Sequence, residues 1–143
     1  MKIDSLGHVF LKVRDQERAE AFYNGVLGIP IVGKLKKPPM TFFSLGNHHD
    51  FGILATSNDA VAPPPDSPGL FHVAFKIGDT LDELWAAKKE LETAGLKVGS
   101  YDHGITHSIY FDDPDGNNLE FYVDISDAWK TNPDLVAGSP SWS

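Results

Sequence analysis

Cysteine is absent from this 143-residue sequence. That absence excludes disulfides, zinc–thiolate sites, iron–sulfur clusters and thiol nucleophiles. Positive charge is also scarce: 12 Lys and Arg stand against 20 Asp and Glu, giving a net charge of −8. An acidic chain repels phosphate backbones, so no nucleic-acid partner is expected. No apolar run approaches the roughly 20 residues that span a bilayer. The opening Met1-Lys2-Ile3-Asp4-Ser5 lacks the apolar core of a signal peptide. No membrane partner is therefore expected, and the cytoplasm is the expected location. What is present is ordinary for a folded chain, with 41% hydrophobic and 22% charged residues. The length suits one domain with a real core.

The chain repeats itself. Gly7-His8-Val9-Phe10-Leu11-Lys12-Val13-Arg14-Asp15 parallels Phe71-His72-Val73-Ala74-Phe75-Lys76-Ile77-Gly78-Asp79, with His, Val, Lys and Asp recurring at an offset of 64. Leu27-Gly28-Ile29 and Ala94-Gly95-Leu96 form a second pair of landmarks at an offset of 67. A repeat sets the fold before any single element does. Each half reads strand, helix, then three strands. In the first half Asp15 can cap a helix whose stripe is Ala19, Phe22, Tyr23 and Val26, ended by Gly28. Strands are expected near 29–34, 40–46 and 50–56. Residues 57–68 are rich in proline and polar residues and read as a linker.

The second half opens at Gly69. Thr80-x-x-Glu83 is a capping-box pattern before a helix with Leu84, Ala87, Leu91 and Ala94 on one face. Strands near 96–102, 106–112 and 118–124 follow. Asp113-Pro114-Asp115-Gly116 is a turn by its own chemistry. The expected fold is α+β: two βαβββ repeats forming a cup-shaped, mainly antiparallel sheet with helices on the outer face. The domain covers 1–124, with repeats at 1–56 and 69–124. Residues 125–143 are a tail that carries Trp129 and Trp142.

Strand alternation aims three polar residues at one face. If Val9, Leu11 and Val13 face the helix, His8 faces away from it. Val73, Phe75 and Ile77 put His72 on the same side, and Leu119, Phe121 and Val123 do so for Glu120 and Tyr122. Two imidazoles and one carboxylate on strands make a facial triad that leaves positions open on a divalent metal. Nitrogen and oxygen ligands suit Fe(II) or Mn(II), with Zn(II) and Ni(II) as further options. His107 shares the phase of Ile109 and is expected on the helix side or at the rim.

These features resemble the vicinal-oxygen-chelate superfamily of glyoxalases, fosfomycin- and bleomycin-resistance proteins and type I extradiol dioxygenases. The resemblance rests on the βαβββ repeat, His8, His72 and Asp113-Pro114-x-Gly116-x3-Glu120, and covers the chain to about residue 124. Gly52 stands where the repeat would place a second carboxylate, a position that glyoxalase I-like enzymes use for a fourth ligand. The stretch His103-x5-Ile109-Tyr110-x2-Asp113-Pro114-x-Gly116-x3-Glu120 resembles the extradiol dioxygenase signature, departing from it just upstream at Tyr101. Those enzymes also carry a catalytic histidine on the fourth strand. His49 in His48-His49-Asp50-Phe51-Gly52 takes that place. Strict alternation back from Gly52 would instead aim His48 at the site, so both stay in view; a bulge or loop after Gly46-Asn47 would reset the phase.

The resemblance implies an Fe(II)-dependent dioxygenase, with Mn(II) as the alternative metal, that opens a small catechol-type aromatic beside its two hydroxyls using O2. It implies His8, His72 and Glu120 as metal ligands and His49, His103 and Tyr110 as catalytic residues. His49 would act as acid and base, Tyr110 would hydrogen-bond the substrate oxygen, and His103 would hold the substrate hydroxyl. Phe10, Met40, Phe42, Leu54 and Tyr122 are expected to line the pocket. A homodimer is expected, since sheet edges and the tail offer surfaces for pairing. The alternatives are a glyoxalase-like isomerase, a fosfomycin-type thiol transferase and a non-enzymatic small-molecule-binding resistance protein.

Overall fold

The structure is a computed structural model. It describes residues 1–138 and the backbone of residues 141–142. The chain divides into two compact units, Met1–Asp66 and Ser67–Ser143. Their boundary falls within the proline-rich stretch 57–68.

In the first unit β1 (Val9–Val13) leads into α1 (Gln16–Glu20). Then come β2 (Ile31–Lys36), β3 (Pro39–Phe43) and β4 (Phe51–Ala55). The sheet order is β1-β4-β3-β2, with β1 parallel to β4 and the other pairs antiparallel. The Asp15 side chain caps α1 by accepting from the Arg18 amide at 2.7 Å.

The helix then widens into a π-helical segment, Ala21–Val26, closed by Leu27 N–H to the Phe22 carbonyl. Ala19, Phe22 and Tyr23 are buried as expected, but Val26 is 45% exposed. The i→i+5 turn holds more residues than an α-turn, so a position counted at α spacing leaves the stripe. Gly28, at φ +74°, ends the segment in a conformation that a side chain would resist.

The second unit repeats this order: β5 (Val73–Gly78), α2 (Leu81–Thr93), β6 (Gly99–Asp102), β7 (Thr106–Asp112) and β8 (Asn118–Asp124). Its sheet runs β5-β8-β7-β6, again with one parallel pair, β5 and β8. The Thr80–Glu83 capping box is formed in full. Leu84 and Leu91 of α2 are buried, as are Ile109, Phe111, Leu119 and Val123 of β7 and β8. Ala94 lies outside the apolar stripe, since the helix stops at Thr93 and Ala94 is its exposed C-cap.

Each unit is therefore an α+β layer with an open mixed sheet, as the repeat requires. The tail forms 3₁₀ turns at Ala128–Lys130 and Pro133–Ala137. The backbone of β9 (Ser141–Trp142) adds to the β6 edge. The Trp142 side chain lies outside the described residues.

Candidate functional site

In the second unit, β8 runs between β5 and β7. Its Glu120 pairs with Ala74 on one side and Tyr110 on the other. The turn after β7 sets that register. Asp113 is buried and accepts from the amides of Asp115 at 2.9 Å and Asn117 at 2.8 Å, and Gly116 takes φ +86°. The Asp-Pro-x-Gly motif thus acts as a hinge pin, placing Tyr110 opposite Glu120 while contributing no group to the site.

Four polar side chains join Glu120. Its Oε2 lies 3.1 Å from His72 Nε2. Its Oε1 accepts from the Ser108 hydroxyl at 2.5 Å. The Tyr110 hydroxyl lies 2.8 Å from His103 Nε2, and the Tyr110 ring is edge-on to His72 at 5.9 Å. Burial, reinforced by the nearby Glu120 charge, pushes the Tyr110 hydroxyl up to about 12, so it keeps its proton at neutral pH.

His72 and Glu120 form a close pair whose spacing is compatible with two ligands of one metal. Two ligand atoms bonded at about 2.0–2.2 Å and at right angles stand about 3 Å apart. The His72–Glu120 separation matches that spacing. A neutral imidazole and a carboxylate are also the donor types that divalent first-row metals accept.

The first unit gathers a different group. His8 immediately precedes β1 and is exposed, with its ring 4.4 Å from that of His49 and 6.4 Å from that of His48. Nδ1 of His48 and Nδ1 of His49 are 2.6 Å apart. Residues 48–50 precede β4 and are not in a strand, so alternation from Gly52 does not govern them. Desolvation first, then the neighbouring His48 and His8, hold the His49 imidazole below its usual pKa, against an opposing pull from Asp50. Phe10 and Phe42 meet edge-on at 5.5 Å, and Phe42 meets His49 at 5.3 Å.

Gly52 pairs with Phe10 as Glu120 pairs with Ala74, so the repeat equates Gly52 with Glu120. A Cβ on Gly52 would lie 2.3 Å from the Phe10 ring. The aromatic ring fills the space that a ligating side chain would need. Of the other pocket candidates, Met40 pairs with Leu54 across β3 and β4, and Tyr122 pairs with Ser108 across β8 and β7.

The structure thus places His72, Glu120, His103 and Tyr110 together in the second unit, and His8, His48 and His49 together in the first. Among the described residues, no three His, Asp or Glu side chains converge as a metal site. His107 lies on the helix side, 3.2 Å from Asp102 and edge-on to Trp85 of α2. Ser108 is the residue that sequence reading passed over. Its phase was readable, because it stands two positions before Tyr110 and shares that residue's face.

Residues 5–121 match the family model described as the Glyoxalase/Bleomycin resistance protein/Dioxygenase superfamily. The chain belongs to this superfamily. Within it, the chain is 32% identical over 120 residues to a catechol-2,3-dioxygenase of Bacillus subtilis (strain 168), covering 83% of this chain and 41% of that protein. It is 29% identical over 126 residues to the metallothiol transferase FosB of Lysinibacillus sphaericus (strain C3-41), covering 86% and 84%. A lactoylglutathione lyase structure from Agrobacterium tumefaciens shares the fold, with a TM-score of 0.64 at 24% identity over 86% of this chain and 96% of that one. The chain spans less than half the length of the catechol dioxygenase that it matches. Relatives in this superfamily are enzymes with different reactions, so the chemistry of this chain must be argued from its residues.

Proposed function

We propose that this chain is an Fe(II)-dependent extradiol dioxygenase that opens a catechol-type ring with O2. The observation that carries this reading is the His103–Tyr110 pair at 2.8 Å, beside a His72–Glu120 pair with metal-ligand spacing. Similarity to a catechol-2,3-dioxygenase supports it.

His72 and Glu120 would hold the metal; His8, the third ligand that the family resemblance implies, belongs to the first unit. The metal, with Mn(II) as alternative to Fe(II), would supply Lewis acidity that favours loss of a catechol proton. The protein's own groups do the rest. The protonated Tyr110 hydroxyl donates a hydrogen bond to an anionic substrate oxygen. His103 Nε2–H donates to the Tyr110 oxygen, which leaves the hydroxyl proton free for the substrate and fixes its direction. His49 takes a proton from the substrate and returns one as the ring opens. The active form is proposed to be a homodimer, which light scattering tests.

The test is oxygen uptake by anaerobically iron-loaded protein across a panel of catechols, with a yellow ring-opened product as the expected result. No uptake across the panel would sink the reading. The match to FosB over 84% of its length favours a second one, a metal-dependent thiol transferase. That reading predicts consumption of thiol with fosfomycin and Mn(II) in the absence of O2.

A further inference from the structure

We infer that Ser108 is a positioning residue that fixes how Glu120 presents its carboxylate, holding Oε1 so that only Oε2 faces the metal position. The inference rests on the metal-site reading above. Ser108 is wholly buried, and Glu120 is 8% exposed. The Ser108 hydroxyl donates to Glu120 Oε1 in a 2.5 Å contact. Hydrogen bonds to a charged acceptor are short and strong, and this one is made where water does not compete. Ser108 holds Oε1, and Oε2 is the oxygen 3.1 Å from His72 Nε2.

The consequence is one-oxygen ligation. A carboxylate free to rotate could bring both oxygens to the metal and fill a position that substrate needs. A carboxylate whose rotation is fixed through Oε1 keeps Oε2 toward His72 and Oε1 toward Ser108. The strand geometry makes this contact rigid. Tyr110 is the direct partner of Glu120 across β7 and β8, while Ser108 partners Tyr122 and reaches Glu120 diagonally on the same sheet face. Outer-shell partners of this kind typically set metal affinity by roughly 10- to 100-fold.

The experiment measures the Mn(II) dissociation constant of metal-stripped full-length protein by calorimetry, for the wild type and for Ser108→Ala, Ser108→Thr and Ser108→Val. Thr and Val have nearly the same shape and differ in the hydroxyl, so they decide the question even if Ser108→Ala does not fold. The expected result is binding weakened roughly 10- to 100-fold in Ala and Val and largely restored in Thr, with the thermal midpoints of Thr and Val alike. Unchanged affinity in folded Ala or Val protein overturns the inference and leaves the metal site standing. Equal weakening in Thr and Val overturns it too, since packing would then be the cause. Failure of the wild type to bind Mn(II) or Fe(II) overturns the metal site itself, and the inference with it.

Discussion

The Tyr110 hydroxyl meets His103 Nε2 at 2.8 Å across the β6–β7 hairpin, not along one strand. His103 lies just beyond β6, and its own amide is tied to the Thr106 carbonyl at 2.9 Å. The turn therefore aims the imidazole back at β7. Tyr110→Phe removes the donor and leaves the ring packing intact. The expected outcome is a fall in kcat of about 100- to 1,000-fold with metal content unchanged, as for loss of one preorganised donor. Steady-state kinetics beside elemental analysis check this; a variant that keeps full kcat would remove Tyr110 from the chemistry.

His48 and His49 are separable by mutation. His49 stacks closer to His8 and bears the lowered pKa. His49→Ala is expected to lower kcat by at least about 100-fold, in the range of acid–base catalysis, while His48→Ala stays within a few-fold of wild type. The reverse pattern would reassign the role to His48.

The strand register around Glu120 was readable from alternation. The bounds of β7 and β8 follow the expected ranges, because a period of two with a proline–glycine turn between leaves one register. The repeat also located Gly52 as the counterpart of Glu120. Val26 failed because spacing assumed an α-helix, and nothing in Ala21–Val26 announces a π-segment. Ser108 was passed over because a serine two places from a tyrosine has no chemistry until the register brings a carboxylate beside it. For His48 and His49 no parity existed to read, since the chain there is not extended.

Gly52→Ala probes the first unit. The added Cβ would meet the Phe10 ring at 2.3 Å. Forcing an atom into an occupied space typically costs about 1–3 kcal/mol. Thermal unfolding is expected to show that loss, and Phe10→Leu in the same chain should recover part of it. An unchanged midpoint for Gly52→Ala would mean that the ring moves aside freely.

The α2 cap gives a pH dependence with a defined sign. Glu83 accepts from the Asp79 amide at 2.8 Å and the Thr80 amide at 2.9 Å. The Asp79 bond first, then those from Thr80, hold its pKa below the usual carboxylate value. A pKa lowered on folding contributes stability above the unfolded value, and that contribution is lost as pH falls through the folded one. Wild type should therefore be more stable than Glu83→Gln at neutral pH, with the margin shrinking below about pH 4. A margin independent of pH, measured by thermal melts, would contradict the charged cap.

The central claim is metal-dependent ring opening by O2. An oxygen electrode, read together with product absorbance on Fe(II)-loaded protein, tests it most directly. The expected result is one O2 consumed per catechol opened, a yellow product, and loss of both signals in Glu120→Ala. Fully metal-loaded wild-type protein that turns over thiol and fosfomycin but consumes no oxygen with any catechol would contradict it.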